Sequence, residues 1–344
     1  MNANNNGGAG GAIAKAPAAA DSLEQGAQAP QRQHRQVFSC PQPRVSIVTP
    51  SYNQGQFIER TILSVLNQDY PNLQYIVMDS CSGDSTAAIL DKYRGRINVI
   101  VQEKDKGQAD AINRGFKRSD GEILAYLNSD DCYAAPGVVS HAVQYFLDHS
   151  DADVIYGKRY YVDVNGFFRL SYPFREFDEG VLNRACYLPQ ECCFWTKQIF
   201  DQAGSSVNES YQFAMDYELW LRFLKNGAKF AAVDHVYGYF RWYDGQKSVN
   251  EWESSGVPEI AKLQTQYFGK SVPPKEMTDL FLQHYYGVNK ADDADGFRLY
   301  DSIWYEEVRL KRKILQFAPL DHWAFPRTSC AETEKDAISN SRTN

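Results

Sequence analysis

The sequence predicts an α/β protein built on a mostly parallel sheet flanked by helices. Short apolar runs of strand length alternate with segments whose apolar residues recur at helical spacing. The joins are short, and such alternation places parallel strands in one sheet with helices on both faces. Acidic or turn-forming residues follow three of the strands, at the edge where sheets of this type bind ligands.

The first half of the chain contains four predicted parallel strands. Their sequences are RVSIVTP, which Pro50 closes, then LQYIVMD, INVIVQ and EILAYLN. Each is followed by a segment with apolar residues on one helical face. These segments are GQFIERTILSVLNQ, TAAILDKYRG, GQADAINRGFKR and VVSHAVQYFLDH.

The pattern changes near residue 153. The segment DVIYGKRYYVDVNGFFRLSY predicts a hairpin with Asn165-Gly166 at its turn. A strand CCFW, a helix AMDYELWLRFLKNG that ends at Gly227 and a strand KFAAVDHVYGYFRWY follow. Residues 257–318 are predicted to be mostly helical. Their basic stretch 308–313 suits either an anionic membrane surface or the solvated face of a packed helix.

Composition narrows the classes of function. The 344 residues are 43% hydrophobic and 23% charged, as in soluble globular proteins. The 36 basic and 43 acidic residues give a net charge of −7, which argues against nucleic acid as a partner because no basic excess neutralises phosphates. Seven scattered cysteines fit a reducing cytoplasm, and neither a signal peptide nor a membrane span is predicted. We therefore expect a cytoplasmic protein.

Four regions are predicted along the chain. Residues 1–40 are rich in Asn, Gly, Ala, Gln and Pro without a hydrophobic period, which predicts a disordered tail. The α/β domain is expected over residues 41–250, and a helical C-terminal extension over 251–325. A polar, flexible tail is expected over 326–344.

Asp130 and Asp131 stand side by side in LAYLNSDDCY, after the fourth strand and with no Lys or Arg nearby. Adjacent carboxylates at a strand end can hold a hard divalent cation, Mg²⁺ or Mn²⁺, that also contacts phosphates of a ligand. Asn, Ser and Asp also favour solvated turns. The pair by itself leaves both interpretations open.

Asp79 closes the second strand in the same way. Its carboxylate can accept hydrogen bonds from a base or ribose, or it can simply begin the SCSGDS turn. Lys104 and Lys106 follow the third strand, near the mouth of the expected crevice. We consider Lys106 a candidate for contact with a diphosphate, with a solvated lysine as the alternative.

Asp216 is expected in the first turn of the helix in FAMDYELWLRF, at the edge of its buried stripe. A carboxylate there can complement the helix dipole, or it can act as a general base. A general base must reach the proton that it removes. Asp216 qualifies only if its helix begins beside the metal site.

Three segments together resemble the family 2 glycosyltransferases, over about residues 43–250. They are VSIVTPSYNQGQFIERTILSVLNQDYPNLQYIVMDSCSGDST, DKGQADAINRGFKRSDGEILAYLNSDDCY and FAMDYELWLRF, in this order. The resemblance implies the GT-A fold, a Rossmann-like sheet, with a nucleotide-sugar donor and inversion at the anomeric carbon.

The resemblance also implies roles for single residues. Pro50 and Tyr52 would line the base pocket, and Asp79 would hydrogen-bond the base or ribose. Asp216 matches the catalytic base. Gln190 and Trp195, in LPQECCFW, resemble the segment that approaches the donor sugar and the acceptor. After the third strand, Lys106 remains the candidate for contact with the diphosphate.

Three motifs depart from the patterns of the family. In NSDD, Asn128 replaces the usual first acid, so the metal role is expected on Asp131, with Asp130 sharing it or lying near the ribose. After the last predicted strand, Tyr243 stands where the family often has histidine. YFRW also lacks the Gln of the processive synthases' QxxRW motif, so such a synthase is not expected.

We therefore expect transfer of a sugar from a nucleotide-diphosphate donor to a glycan or lipid-linked acceptor, as in bacterial surface-polysaccharide assembly. A peripheral position on the inner face of the membrane is an option for such an acceptor. Two alternatives remain. One is a nucleotidyltransferase, although the segment TPSYNQGQF lacks the Gly-rich phosphate loop that is typical of that class. The other is an inert scaffold in a glycan assembly complex.

Overall fold

The computed structural model describes residues 37–286. Within them, nine strands form one sheet. In chain order they are β1 Val45–Ser51, β2 Leu73–Asp79, β3 Val99–Gln102, β4 Ile123–Tyr126, β5 Cys132–Tyr133, β6 Val154–Val162, β7 Phe168–Ser171, β8 Cys193–Thr196 and β9 Phe230–Arg241.

Helices join these strands. They are α1 Ile58–Leu66, α2 Thr86–Tyr93, α3 Gln108–Phe116, α4 Val138–Asp148, α5 Glu179–Leu182, α6 Lys197–Gln202, α7 Met215–Lys225, α8 Lys247–Asn250, α9 Val257–Phe268 and α10 Pro274–Tyr286. A 3₁₀ turn spans Gln190–Cys192 and a π-helical turn spans Trp252–Gly256.

The first four strands are parallel, as predicted. β1 pairs with β2 and β4, and β2 pairs with β3. Ser51 lies opposite Asp79, so the segments that follow both strands leave the sheet at the same edge. Pro50 does not close β1: it pairs in register with Met78, and the strand continues to Ser51.

The second half makes the sheet mixed. The strand order is β3-β2-β1-β4-β8-β6-β9-β5, with β7 paired to β6. β8 is antiparallel to both β4 and β6, whereas β9 is parallel to β6. The predicted hairpin is β6–β7, with Gly166 at φ +90° in its turn. β5, which directly follows Asp131, was not expected, because two residues carry no period that a sequence pattern can reveal.

The core lies on both faces of the sheet. Successive strand residues point to opposite faces, and they enter two different clusters of buried side chains. Val48 and Met78 belong to the cluster that α3, α7 and α9 cover, whereas Ile47 and Val77 belong to the cluster that α1 and α4 cover. This explains why the predicted parallel strands have nearly continuous apolar runs.

The described part of the C-terminal extension packs on the α/β domain. Ile260 and Leu263 of α9 are buried in the same cluster as Trp220 of α7. No helix within residues 37–286 is long and apolar enough to cross a membrane. The predicted basic helix 308–313, most of the N-terminal tail and the tail 326–344 lie outside the described residues.

Candidate active site

A cleft of about 1180 Å³ opens where the parallel strands end. Parallel strands deliver the segments after them to a common edge, which is why the motifs after β1, β2 and β4 meet there. The first turn of α7 and the segment around α8 form further walls. The lining includes Pro50, Tyr52, Ser80, Cys81, Lys104, Asn128, Asp130, Arg159, Gln190, Glu191, Phe213, Asp216, Tyr243, Lys247 and Trp252.

The segments after β1 and β2 are tied together. Pro50 and Tyr52 line the cleft, and the Tyr52 side chain is 64% exposed. Asp79 lies below the cleft wall, 2% exposed, where its carboxylate accepts hydrogen bonds from the Ser82 hydroxyl at 2.5 Å and the Ser82 N–H at 3.2 Å. The Ser82 hydroxyl also accepts from Asn53 N–H at 2.8 Å. Asp79 therefore orders the turn that borders the cleft.

The lysine after β3 that lines the cleft is Lys104. Lys106, which was expected near a diphosphate, is exposed and lies outside the lining. Its backbone N–H donates to Asp110 at 3.0 Å, as the chain turns into α3. The turn places side chains two residues apart on different sides, so the sequence order could not identify the inward-facing lysine.

Asp130 and Asp131 occupy different depths. Asp130 lines the cleft, and its Oδ2 accepts from the Tyr243 hydroxyl at 3.0 Å. Asp131 is 1% exposed, and its Oδ1 accepts from Arg241 N–H at 3.1 Å. Arg241 Nε donates to the Asp130 carbonyl at 2.9 Å. The Arg241 contacts arise because β5 pairs with β9 immediately after the two acids.

The two carboxylates lie in an unfavourable electrostatic environment. Burial raises the pKa of Asp131 well above its usual range, and the charges of Asp130 and Glu191 raise it further. Burial also raises the pKa of Asp130, against the hydrogen bond from Tyr243 and the charge of Arg241. A divalent cation would relieve this repulsion.

The donor set fits Mg²⁺ or Mn²⁺. Among the residues of the described range, no group of three or more His, Cys, Asp or Glu is placed to hold a metal ion. Two carboxylates are the sparse set that Mg²⁺ uses when phosphates of a substrate supply further oxygens. Asp130 offers its carboxylate to the cleft more directly than Asp131, on which the metal role was expected.

Asp216 lines the cleft from the first turn of α7. Met215, Leu219 and Phe223 bury one side of this helix, which leaves Asp216 at its edge. Its Oδ1 accepts from Tyr217 N–H at 2.8 Å. Burial raises the pKa of Asp216, against that hydrogen bond and the nearby cationic charges. A carboxyl group with a raised pKa at a cleft wall has the properties of a general base.

Glu259 of α9 holds the segment that leads into α7. Its two carboxylate oxygens accept from the backbone N–H groups of Gln212, Phe213 and Ala214, each at 2.8 Å. Ala214, at the helix start, has no side chain that can cap it. A carboxylate from the C-terminal extension therefore fixes the approach to Asp216.

A buried ion pair underlies the cleft wall on the β6 side. Arg159 donates to Glu191 through Nε and Nη2, both at 2.5 Å, and Glu191 is 2% exposed. The guanidinium also lies 4.5 Å from the Phe240 ring centre and 5.1 Å from that of Tyr172. The two hydrogen bonds to Glu191 and the two aromatic rings together stabilise the positive charge of Arg159, which burial alone would disfavour.

Asn128 belongs to a chain of side-chain amides. Gln190 donates to the Tyr126 carbonyl at 2.7 Å and accepts from Asn128 Nδ2 at 3.2 Å. Asn128 Oδ1 in turn accepts from Gln108 at 2.7 Å, and Lys247 Nζ donates to Gln108 at 3.3 Å. An amide at 128 both donates and accepts, which an ionised acid cannot do.

Trp195 does not lie in the cleft, and the expectation that it approaches the sugars is wrong. Its side chain is fully buried in the core, edge-to-face with Trp220 at 5.5 Å and with Phe116 at 5.9 Å. β8 pairs with both β4 and β6, so its side chains face covered surfaces of the sheet.

Four residues of the site were not identified from the sequence. Arg159, Glu191 and Lys247 line the cleft, and Glu259 supports its wall. All four contact partners far away in the chain, so no local spacing indicates them. For Tyr243, the sequence indicated only that a tyrosine replaces the histidine that the family often has, two residues after Arg241 at the end of β9.

Comparisons with known proteins identify the family and the fold. The pattern described as Glycosyl transferase family 2 matches residues 46–208. The UDP-Glc:alpha-D-GlcNAc-diphosphoundecaprenol beta-1,3-glucosyltransferase WfaP of Escherichia coli is 31% identical over 215 residues, which cover 61% of this chain and 81% of WfaP.

Two solved structures show the same fold. S. aureus TarS 1-349 in complex with UDP-GlcNAc has a TM-score of 0.54 at 19% identity, over 77% of this chain and 79% of that one. The mannosyltransferase PcManGT from Pyrobaculum calidifontis, in complex with GDP-Man and Mn2+, has a TM-score of 0.51 at 18% identity, over 90% and 85% of the two chains. Because the family pattern matches the segment from β1 to β8 and this chain covers most of WfaP, the chain belongs to the family 2 glycosyltransferases and has the GT-A fold.

Proposed function

We propose that the protein is an inverting glycosyltransferase that moves a sugar from a nucleotide-diphosphate donor to a hydroxyl group of a glycan or lipid-linked acceptor, in surface-polysaccharide assembly. The observation that carries this proposal is that Asp216 shares one cleft with Asp130 and with the turns after β1 and β2. WfaP, by its name, glucosylates a sugar on diphosphoundecaprenol, which supports a lipid-linked acceptor. Such an acceptor would bring the protein to the membrane surface.

The nucleotide is proposed to bind between the turns after β1 and β2. Tyr52 presents an exposed ring for a base, beside Pro50. Asp79 acts on the base or ribose indirectly, because its carboxylate holds the Ser82 turn that borders the cleft. Lys104 is the cation of the β3 segment that can reach a diphosphate.

Asp130 and Asp131 would hold Mg²⁺ or Mn²⁺. When bound, the cation neutralises negative charge that develops on the leaving diphosphate. Arg241 and Tyr243 keep the two carboxylates in place through the hydrogen bonds described above. PcManGT, whose structure contains Mn2+ with GDP-Man, supports this choice of metal.

Asp216 is proposed to remove the proton of the acceptor hydroxyl. The oxygen of that hydroxyl attacks the anomeric carbon from the side opposite the diphosphate, which inverts the configuration as the bond to the diphosphate breaks. Tyr217 N–H holds Oδ1 of Asp216, so we assign the proton to Oδ2. A raised pKa makes the carboxylate a stronger base than a solvated one.

The test is release of nucleotide from UDP-, GDP- and dTDP-sugars with Mn²⁺, for the wild type and Asp216→Asn. We expect hydrolysis of at least one donor, and a loss of roughly 10²–10⁴-fold in rate for Asp216→Asn with its donor affinity unchanged. An equal loss of donor affinity in this variant would make Asp216 a binding residue instead.

A pyrophosphate assay and the hydrolysis assay together separate the alternatives. A nucleotidyltransferase would release pyrophosphate from a nucleoside triphosphate and a sugar phosphate. An inert scaffold would hydrolyse no donor.

A further inference from the structure

The wall of the cleft beside Asp216 has two aromatic rings that have no role in the donor and metal sites proposed above. Phe213 precedes Asp216 by three residues, and Trp252 lies in the π-helical turn that leads into α9. Both line the cleft. Their ring centres are 5.8 Å apart with the planes at 61°. This edge-to-face arrangement leaves the indole 43% exposed.

The position of these rings is fixed by the fold. Glu259 holds the backbone N–H of Phe213, as described above. On the other side, Gly256 packs against the Phe213 ring so closely that an added Cβ would lie 2.9 Å from the ring. The π-helical turn ends at this glycine. A half-exposed indole on a support of this kind is a preformed surface rather than a side chain that drifts in solvent.

Polar groups surround the rings. Lys247 and Glu251 line the same wall, and the charge of Lys247 acts on Asp216. Burial lowers the pKa of Lys247, against the charges of Glu251 and Glu259. An apolar ring face bordered by hydrogen-bonding groups matches a pyranose, which presents C–H groups on one face and hydroxyls at its edge.

We propose that Trp252, supported by Phe213, forms a subsite for a sugar ring of the acceptor, so that the acceptor is recognised at a neutral hexopyranose. This inference rests on the proposed function. The indole orients the sugar so that one hydroxyl reaches Asp216, while Glu251 and Lys247 bind the remaining hydroxyls. A lipid or phosphate group next to that sugar would lie outside this subsite.

The probes are methyl glycosides of glucose, galactose, mannose and N-acetylglucosamine. Nucleotide release from the active donor is measured with and without each glycoside, for the wild type, Trp252→Ala and Trp252→Phe. Phe268→Ala removes another exposed ring of the C-terminal segment, outside the cleft, and is the matched control.

We expect at least one glycoside to increase nucleotide release by the wild type. Trp252→Ala should raise the glycoside concentration for half-maximal stimulation by roughly tenfold or more. Nucleotide affinity should be retained, because the proposed nucleotide pocket lies between the turns after β1 and β2. Trp252→Phe should recover most of the loss, and Phe268→Ala should behave as the wild type.

Three results would overturn the subsite. They are an unchanged glycoside dependence in Trp252→Ala, an equal loss of nucleotide affinity in that variant, and a wild type that hydrolyses its donor but responds to no glycoside. The proposed function fails by a different result, which is that the wild type hydrolyses no donor at all.

Discussion

Asp216 is held in the first turn of α7 with a pKa that burial raises above its ordinary value. The folded state then binds the proton more tightly than the unfolded state. The stabilising contribution is fully present below the unfolded pKa of about 4 and is lost as the pH rises through the folded pKa. At neutral pH the ionised carboxylate of Asp216 is therefore less stable in the folded protein than in solvent.

We predict that Asp216→Asn raises the thermal midpoint at pH 7. The gain should shrink as the pH falls towards 4, because the wild-type carboxyl group then becomes neutral as well. Thermal unfolding of both proteins between pH 4.5 and 7.5 measures how the difference in midpoint changes over about three pH units. Glu253→Gln, which removes an exposed acid, is the control for loss of charge. If the thermal midpoint of Asp216→Asn relative to wild type were lower at pH 7 than at pH 4.5, the raised pKa of Asp216 would be contradicted.

Cys81 gives a second prediction at the scale of one residue. It is a free, exposed cysteine that lines the cleft after β2, whereas the exposed Cys40 lies outside it. UDP with Mn²⁺ should slow alkylation of Cys81 by iodoacetamide roughly tenfold at ten times its Kd, because only the free site reacts. Peptide mass spectrometry gives both rates in one sample. If alkylation of Cys40 slowed equally, or alkylation of Cys81 did not slow, the nucleotide would not bind beside Cys81.

At the scale of elements, α9 controls the start of α7. Glu259→Ala would leave three backbone N–H groups without their acceptor. We expect the rate of donor hydrolysis to fall at least about tenfold with donor affinity unchanged, because Asp216 loses its position and the nucleotide pocket does not. Stability should fall by about 2 kcal/mol, as expected when a charged acceptor is lost.

Two variants make this prediction specific. Glu276→Ala removes the matching acid from the first turn of α10 and should leave the rate unchanged. Glu259→Gln keeps one carbonyl oxygen and should recover part of the rate. If Glu259→Ala lowers stability with no change in the rate, Glu259 serves the fold alone.

Most elements follow from local patterns. The four parallel strands, the β6–β7 hairpin and α7 with Gly227 after it, at φ +75°, agree with the predicted ones. The mixed order of the second half does not follow, since β8 inserts between β4 and β6 although it comes after both. Pairing across such distances is decided by packing, and periodicity carries no information on it.

At the scale of the whole molecule, the described extension completes the core. Ile260 and Leu263 of α9 are 3% and 0% exposed. A chain that ends after Asp244 should therefore unfold at least about 10 °C below one that ends after Tyr286, since each buried aliphatic side chain contributes about 1.5–3 kcal/mol. Circular dichroism melting of the two chains measures this difference. Equal midpoints would show that α9 is dispensable for the α/β domain.

The sequence by itself determined the family, the parallel half of the sheet and the edge of that sheet at which Asp79 and Asp130 lie. These follow from local patterns, because residues that end parallel strands meet at a common edge of the sheet. Tertiary structure decided that Asp216 shares one cleft with Asp130. It likewise decided that Trp195 is core and Lys104 rather than Lys106 faces the cleft. It also decided the roles of Arg159, Glu191 and Glu259, because a buried charge acquires its function from a partner that folding brings to it from another part of the chain.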